Sequence, residues 1–472
     1  CMFLTAIAVP AVVFSTCLRR MRAPLASAAA SSSGSPRLGR YATSVEEAGR
    51  ALADGELVAF PTETVFGLGA NAFNVAAVCR IFEVKGRPRT DPLIVHVPTV
   101  DAAERLVRLE PRGLALMRKL AASFWPGPLT LVAPASADIP DEITSGTGFV
   151  GLRIPAHEQA RSLLSAAGVP VAAPSANRFG HVSPTRAEHV MSDLGAHQIW
   201  VLRAADGDET SCGVGIESTV LKIDESASRL IVLRRGGVPE AELARWMLAH
   251  PEEGSVFSLH LHATSSSSAH NSSPLQAATG HDSPTNGAEA ATPVAAATIT
   301  TSAAANEQPS SASATATDDD DTTIARAAPG MLLTHYAPDL PAFLLAPAGR
   351  GGAVASEVPL GADLSTAVLI DFGARYAALA SRAVAYRDLS ATGDGAQAAR
   401  SLFETLRWAE DHADAGARCV LLPLLGGNEA VGGAAESRGT EVEPALADRL
   451  YRAASGRRVW LDPAGGALCA PA

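Results

Sequence analysis

Lysine is nearly absent. The 472 residues contain three, Lys85, Lys119 and Lys222, and arginine supplies 35 of the 38 basic side chains. With a net charge of −11, that scarcity excludes a general nucleic-acid coat and a polybasic membrane binder, so any anion must be met by a local patch. Aromatic residues make up only 5%, and burial falls to the aliphatic side chains of a composition that is 47% apolar. The six cysteines are scattered at 1, 17, 79, 212, 419 and 469 with no C-x-x-C. That pattern excludes a zinc finger or a disulfide framework and reads as reduced thiols in a cytosol-like compartment. Three catalytic signatures are missing as well: the G-x-x-x-x-G-K-[ST] phosphate loop, the G-x-S-x-G nucleophile elbow and the H-E-x-x-H zinc helix.

Acid is missing from the first 45 residues, which carry five arginines and the Ala/Ser-rich run ASAAASSSGSPRLGR. This is the composition of an organelle transit peptide, so residues 1–43 are expected to be such a segment, and the protein cytoplasmic, mitochondrial or plastid. The apolar stretch from Met2 to Cys17 is short for a bilayer span, and Arg19, Arg20 and Arg22 follow it rather than precede it, so no membrane role is expected. Basic residues are missing again between Arg245 and Arg326, and Phe, Trp and Tyr from Ser258 to His335. Such a stretch cannot bury enough apolar surface to offset chain entropy. Residues 251–326 are therefore expected to be a disordered insertion, separating a domain at 44–250 from a linker at 327–341 and a second domain at 342–460.

What is present is alternation. Ser44 with Glu47 three residues on forms a capping box before a short helix that ends at Gly55. ELVAF is a strand that enters the turn-rich loop PTETVFGLGAN, and NVAAVCRIFEVK has helical spacing with Lys85 at its end. LIVHV, LTLVA, FVGLRI, VPVAAP, STVLKI and RLIVLRR read as strands, with helices at 157–167 and 185–194. The second domain repeats the pattern with TAVLIDFG, the helix AQAARSLFETLRWAEDHA, CVLLPLLG and the helix PALADRLYRAASG. The expected fold is α/β: a twisted mixed-sheet domain and a smaller Rossmann-like doubly wound domain.

Strands that run into polar loops set their side chains at one sheet edge, where open α/β folds bind ligands. The residues so placed are Thr62 and Thr64, then Lys85, Arg87 and Arg89, then Arg153, Ser175, Asn177, Ser183, Thr185, Ser218, Thr219, Arg234 and Arg235. The set is rich in cations and hydroxyls and poor in carboxylates. It suits a polyphosphate, because arginine meets phosphate oxygens in pairs and lysine acts as a point charge. On chemistry alone, a nucleotide site and a scatter of solvated charges and turn residues are both open.

FPTETVFGLGANAF, KGRPRTDPLIVHV, FWPGPLTLV, VGLRIPAH, PVAAPSAN, SPT, GIESTVL and VLRRGG occur in that order between residues 60 and 237. Together they resemble the YrdC-like family of L-threonylcarbamoyl-AMP synthases. PGMLLTHYAPDLP at 329–341 resembles the linker that folds over the cleft in two-domain members, and the part ending in ADRLYRAA resembles their Rossmann-like second domain. The low-complexity insertion departs from the family pattern. The resemblance implies condensation of L-threonine, bicarbonate or CO2, and ATP into threonylcarbamoyl-AMP and pyrophosphate. It also implies Mg²⁺ with the ATP, and delivery of the product to a tRNA threonylcarbamoyl-transferase complex that modifies ANN-decoding tRNAs.

The resemblance assigns Lys85 and Arg87 to the ATP phosphates as the catalytic pair. It places Asp91, Phe149, Asn177, Ser183, Thr185, Arg234 and Tyr336 at the nucleotide. Thr64, His96, Arg153 and Ser175 are implied at threonine, with Ser218 or Thr219 beside them. Several alternatives stand open at this point. His96 also reads as a satisfied strand histidine, Ser183 and Thr185 as helix caps, and Arg235 as a competitor of Arg234. Positioning and electrostatics are expected to carry the rate, with no general base and no protein metal ligand.

Two rival classes remain. A hydrogenase-maturation carbamoyltransferase contains a similar domain, but with C-x-x-C zinc fingers and an acylphosphatase-like region that this chain lacks. A non-catalytic RNA-binding module, with tRNA or other RNA on a basic concave face, is the second.

Overall fold

The computed structural model describes residues 39–204, 212–261, 300–301, 333, 335–346, 363–425, 441–461 and 468–469. Most of the expected transit segment and most of the expected insertion lie outside them.

The first domain is built on a twelve-stranded sheet. In chain order its strands are β1 Arg40–Tyr41, β2 Val58–Phe60, β3 Gly67–Asn71, β4 Ile94–His96, β5 Leu129–Pro134, β6 Phe149–Arg153 and β7 Val171–Ala172. They continue with β8 Trp200–Val201, β9 Thr219–Asp224, β10 Arg229–Arg234, β11 Ser258–Leu261 and β12 Thr300–Thr301. Their spatial order is β1-β8-β2-β3-β7-β4-β6-β5-β9-β10-β11-β12, with parallel and antiparallel pairs mixed. Between them run α1 Val45–Ala53, α2 Val75–Lys85, α3 Val100–Glu104, α4 Pro111–Phe124, α5 Asp141–Thr144, α6 Glu158–Ala167, α7 Ala187–Leu194, α8 Glu240–Ala249 and α9 Pro251–Gly254.

Local signals account for many of these elements. Ser44 Oγ accepts the Glu47 N–H at 3.1 Å and starts α1, while the Glu47 carboxylate returns to Thr43 N at 2.7 Å. Asn74 caps α2 in the same way, its Oδ1 accepting Ala77 N at 3.1 Å. The strands β4, β5, β9 and β10 are near-continuous Val, Ile and Leu because both faces of the sheet are covered.

Three features differ from expectation. The loop PTETVFGLGAN contains a strand, β3, whose glycines let Phe60 and Val171 pack close; a Cβ on Gly69 would lie 2.9 Å from each. The first domain also continues past the expected start of the insertion at 251, because β11 pairs in register with β10 and buries Leu259, and β12 at Thr300–Thr301 pairs with β11 inside the expected insertion. At the other end β1 pairs with β8, so the sheet begins at Arg40, inside the expected transit segment.

The second domain carries β13 Ala342–Leu345, β14 Ala367–Asp371, β15 Ala385–Asp388, β16 Cys419–Pro423, β17 Arg458–Leu461 and β18 Leu468–Cys469. Their order is β15-β14-β16-β13-β17-β18, parallel except for the β17–β18 pair. The helices α10 Gly395–Glu410 and α11 Glu443–Ala453 cover one face, packing on Leu344, Val368, Ile370, Val420 and Leu422. The opposite face, with Phe343, Leu345, Leu369 and Leu421, packs on Leu364, Tyr376 and Leu379. The alternation of Phe343 and Leu345 with Leu344 is the strand period of two.

The α10/α11 layer does not end at the domain. Val65, Val182 and Ile216 of the first domain and Tyr336 of the linker belong to the same apolar cluster. The sites of closest approach are made possible by Gly215, whose φ is +76° and whose missing Cβ would lie 2.3 Å from the Arg400 Cα on α10. Among the described residues no helix is long and apolar enough to cross a membrane.

Candidate active site

β4 and β6 run parallel in register, so His96 and Arg153 emerge side by side at their carboxyl ends. Each nitrogen of the Arg153 guanidinium has a partner: Nε donates to Gly127 O at 3.1 Å, Nη1 to Thr64 Oγ1 at 3.0 Å and Nη2 to Glu63 Oε1 at 2.6 Å. Thr64 is aimed at it by a local turn in which Thr62 Oγ1 donates to Val65 O at 2.6 Å and accepts Val65 N at 3.2 Å. Burial, and then Arg153, push the His96 imidazole down to about 3, so it is neutral at any physiological pH.

α2 ends in a left-handed cap at Gly86, φ +65°, and this turn redirects the chain so that Arg87 points inward. Its Nε and Nη2 donate to Asp91 O at 3.1 Å and Pro92 O at 2.8 Å, and Nη2 pairs with Asp91 Oδ1 at 2.9 Å. On the other side Arg234 ends β10, and its Nε and Nη2 donate to Ser218 O at 3.3 and 3.0 Å. Over both lies the linker: Tyr336 is 1% exposed, held at φ +63°, and His335 packs against its ring at 4.1 Å. Burial, then Glu217, raise the Tyr336 hydroxyl to about 12; burial, then Arg87 and Lys85, hold His335 neutral.

These groups enclose a cavity of about 60 Å³ lined by Thr62, Thr64, Arg87, His96, Arg153, Ser175, Glu217, Ser218, Arg234, His335 and Tyr336, with apolar residues between them. Ligand pockets are typically about 300–1,000 Å³, and the linker residues His335 and Tyr336 form part of the wall of this smaller one.

Of the expected threonine residues, Thr64, His96, Arg153, Ser175 and Ser218 share this cavity. Thr219 does not. It starts β9 on the opposite face, where its hydroxyl donates to Val238 O at 2.6 Å and accepts Val238 N at 3.0 Å. Arg234 lines the cavity, whereas Arg235, one residue on and therefore on the other face, pairs with Glu240. Several expected nucleotide residues stand outside the lining. Lys85 is 4% exposed and its ammonium donates to Ser175 O at 2.6 Å and Asn177 O at 2.5 Å. It thereby holds the S-x-N loop rather than facing open space, and burial, then Arg87, lower its pKa well below the ordinary value. Asp91 meets Arg87, and Asn177 Nδ2 donates to Arg178 O and His181 O at 2.7 and 2.8 Å.

Ser183 and Thr185 are not helix caps: α7 starts after Arg186 with no side-chain cap, Ser183 Oγ donates to Glu217 Oε1 at 2.8 Å, and Thr185 Oγ1 lies 3.4 Å from His189 Nδ1. Phe149 opens β6 and Arg153 closes it, so Phe149 sits at the far end of the strand, under the Lys222 ammonium at 3.9 Å. Arg89 reaches Cys79 Sγ at 3.1 Å on the exposed side of α2.

The Sua5/YciO/YrdC domain model, described as telomere recombination, matches residues 50–236, and the model of the threonylcarbamoyl-AMP synthase C-terminal domain matches residues 294–455. A threonylcarbamoyl-AMP synthase of Thiobacillus denitrificans is 34% identical over 157 residues, which are 33% of this chain and 79% of that protein. The chain belongs to the threonylcarbamoyl-AMP synthase family. The Pyrococcus abyssi protein of that name is 46% identical over 194 residues, 41% of this chain and 54% of the relative, so the match spans about half the relative's length. A crystal structure of P. abyssi Sua5 complexed with L-threonine resembles the chain with a TM-score of 0.58 and 28% identity, over 90% of this chain and 99% of that one.

Within this family frame, two acids at the site were not expected from sequence. Glu63 pairs with Arg153, and that arginine holds its carboxyl below the usual range although burial opposes it. Glu217 lines the cavity itself. Both stand inside motifs of the resemblance, PTETV and GIESTV, among hydroxyls and apolar residues that give an acid no distinct signal. A third unexpected residue, Arg449, reaches Glu217 Oε2 at 3.2 Å from the second domain. No local pattern announces it.

Proposed function

We propose that the chain is an L-threonylcarbamoyladenylate synthase, a nucleotidyltransferase that condenses L-threonine, bicarbonate or CO2, and ATP. The observation that carries this reading is the convergence of three buried guanidinium groups, Arg87, Arg153 and Arg234, with the hydroxyls of Thr64, Ser175 and Ser218 on one cavity in a chain of this family.

The chemistry divides between the two ends of the cavity. At the Arg153 end, the guanidinium and the Thr64 hydroxyl suit the carboxylate and side chain of an amino acid, which would displace Glu63 from Arg153. The threonine amine and bicarbonate form a carbamate with loss of water. One carbamate oxygen then attacks the α-phosphorus of ATP, the bond from that phosphorus to the bridging oxygen breaks, and pyrophosphate departs. Arg87 and Arg234, at the other end, lie where charge grows on the transferring group. Fixed donors of this kind contribute about 10²–10³ in rate each.

His96, neutral and a weak base, orients rather than removes protons. Tyr336 and His335, once lifted to admit substrates and closed again, exclude water from a carbamate that water would return to bicarbonate. The carboxylate in the cavity wall, Glu217, is engaged by Arg449, and the two behind the wall, Glu63 and Asp91, by Arg153 and Arg87. Mg²⁺ is therefore proposed to arrive on the ATP phosphates, neutralising their charge. The product is proposed to pass to a tRNA threonylcarbamoyl-transferase complex, in the cytoplasm or, given the acid-free N-terminal composition, in an organelle.

The test is pyrophosphate release by the full chain with ATP, Mg²⁺, bicarbonate and a panel of amino acids. Release should require both L-threonine and bicarbonate, and Arg234→Ala should lower kcat by about 10²–10³. Measurable ATP binding with no amino-acid-dependent release would instead favour a binding module.

A further inference from the structure

Among the described residues, Glu217 is the one carboxylate in the wall of the cavity. A polyphosphate site with a bare carboxylate in its wall is self-defeating, because like charges in a partly dry enclosure repel far more strongly than in water. Glu217 is not bare. Its Oε1 accepts from Ser183 Oγ at 2.8 Å, which satisfies the atom but brings no charge. Its Oε2 accepts from Arg449 Nε at 3.2 Å, which does.

Arg449 belongs to α11 of the second domain and is 0% exposed. Its neighbouring acid, Asp448, is held through both carboxylate oxygens by Arg452 Nε, at 3.1 and 3.0 Å, and offers Arg449 Nη1 only a 3.3 Å contact. Arg449 Nη2 has no hydrogen-bond partner. The guanidinium carbon stands 5.7 Å from the centre of the Tyr336 ring, so the same cation backs both the acid wall and the linker.

We infer that Arg449 is a positioning residue of the nucleotide site: from across the domain boundary it cancels the charge of Glu217 and so makes the wall compatible with a polyphosphate. The inference rests on the nucleotide site proposed above. It gives the second domain a defined task, because a first domain without α11 would lose the cation hydrogen-bonded to Glu217 and keep only the through-space attraction of Arg234.

A charge-cancelling role has a signature that packing alone lacks: removing the acid relieves the loss of the arginine. Calorimetric titration of the full chain with ATP is the measurement. Arg449→Gln keeps an N–H donor and drops the charge, and should weaken ATP binding about tenfold or more while L-threonine binding holds. Adding Glu217→Gln to it should restore ATP affinity to within about threefold of the unmodified chain. Arg449→Lys, which keeps the charge, should bind nearly as well as the unmodified chain, and it serves if Arg449→Gln does not fold. Equal ATP affinity in Arg449→Gln, or a double variant no better than the single one, overturns the inference while leaving the synthase reading intact. An unmodified chain that binds no ATP overturns both.

Discussion

Ser218 and Thr219 are adjacent and chemically alike, yet only one faces the cavity, and the choice follows from strand geometry. Successive side chains alternate between the faces of a sheet, and the apolar pattern of STVLKI puts Thr219 with the buried set. The buried Thr219 hydroxyl serves both polar backbone atoms of Val238, the donor and the acceptor. Thr219→Val should therefore cost about 1–3 kcal/mol of stability and leave ligand affinity unchanged. Ser218→Ala should do the reverse, weakening L-threonine binding with a smaller fall in Tm. Thermal unfolding and threonine titration of the two variants decide it, and a Thr219→Val protein that melts normally but binds threonine poorly would put the wrong hydroxyl in the site. Arg234 was not legible in the same way: β10 shifts register between Val232 and Arg234, so Arg234 stands opposite Val220 and strict alternation along RLIVLRR does not report its face. Lys85 was different. Its position at the end of α2 was legible, but its partners are backbone carbonyls of Ser175 and Asn177, ninety residues on, and no pattern of side chains reports a carbonyl.

Elements with a single strong period were legible, and those made by their neighbours were not. The helices α2, α6, α7, α10 and α11 and the strands β4 to β7, β9, β10, β14 and β16 each follow from apolar spacing, caps and β-branched runs. β3 was hidden because GLGAN has no β-branched residue; it is a strand because β2 and β7 flank it and need the room its glycines leave. The two-residue strands β1 and β8 exist only as partners of each other and of β2. The contact between the loop at Gly215 and α10 is likewise tertiary, and it carries a sharp requirement. A Cβ there would meet Arg400 Cα at 2.3 Å and Ala399 O at 2.5 Å, backbone atoms that cannot swing aside, on a residue already at φ +76°. Gly215→Ala should cost about 1–3 kcal/mol in backbone conformation alone, and the clash adds the displacement of α10. Because Glu217 is two residues away, the displacement should be felt at the cavity. Limited proteolysis between the domains should accelerate and Arg449 should lose its hold on Glu217; wild-type proteolysis and ATP affinity in this variant would refute the account.

At the scale of the whole molecule, the two domains meet through charge as much as through the apolar cluster. Asp193 on α7 accepts from both Arg407 Nη atoms of α10, at 3.2 and 3.0 Å, and from the backbone of Arg178 at 3.2 Å. His181 bridges the boundary, with Nδ1 2.9 Å from Asp193 Oδ2 and Nε2 2.8 Å from Glu410 Oε1, while Asp339 of the linker lies 3.9 Å from Nε2 and is paired with Arg178. His189 stands nearby, lowered to about 4 by burial and then by Arg407, and so adds no charge. The outlying pairs Arg186–Glu404 and Arg245–Glu441 are exposed and contribute little. Burial works against a charged His181, but its hydrogen bonds to Asp193 and then to Glu410 outweigh it and raise the pKa to about 8. A histidine raised above its unfolded value near 6.5 contributes stability that is fully present below about pH 6.5 and is lost as pH rises through about 8. Raising the imidazole from near 6.5 to about 8 corresponds to at most about 2 kcal/mol. Above pH 8 a neutral ring can still donate to one carboxylate, yet it no longer balances the two it lies between. Domain docking should accordingly weaken between pH 7 and 9, and the linker, tied to the same cluster through the Asp339 N–H on Glu410 Oε1 at 2.7 Å, should loosen with it. Thermal unfolding of the unmodified chain should show a Tm that falls across this interval, whereas His181→Asn, lower in Tm at pH 7, should be nearly flat. Identical pH profiles for the two proteins would mean that the interface is held by Arg407 and its apolar neighbours alone, with His181 a bystander between them.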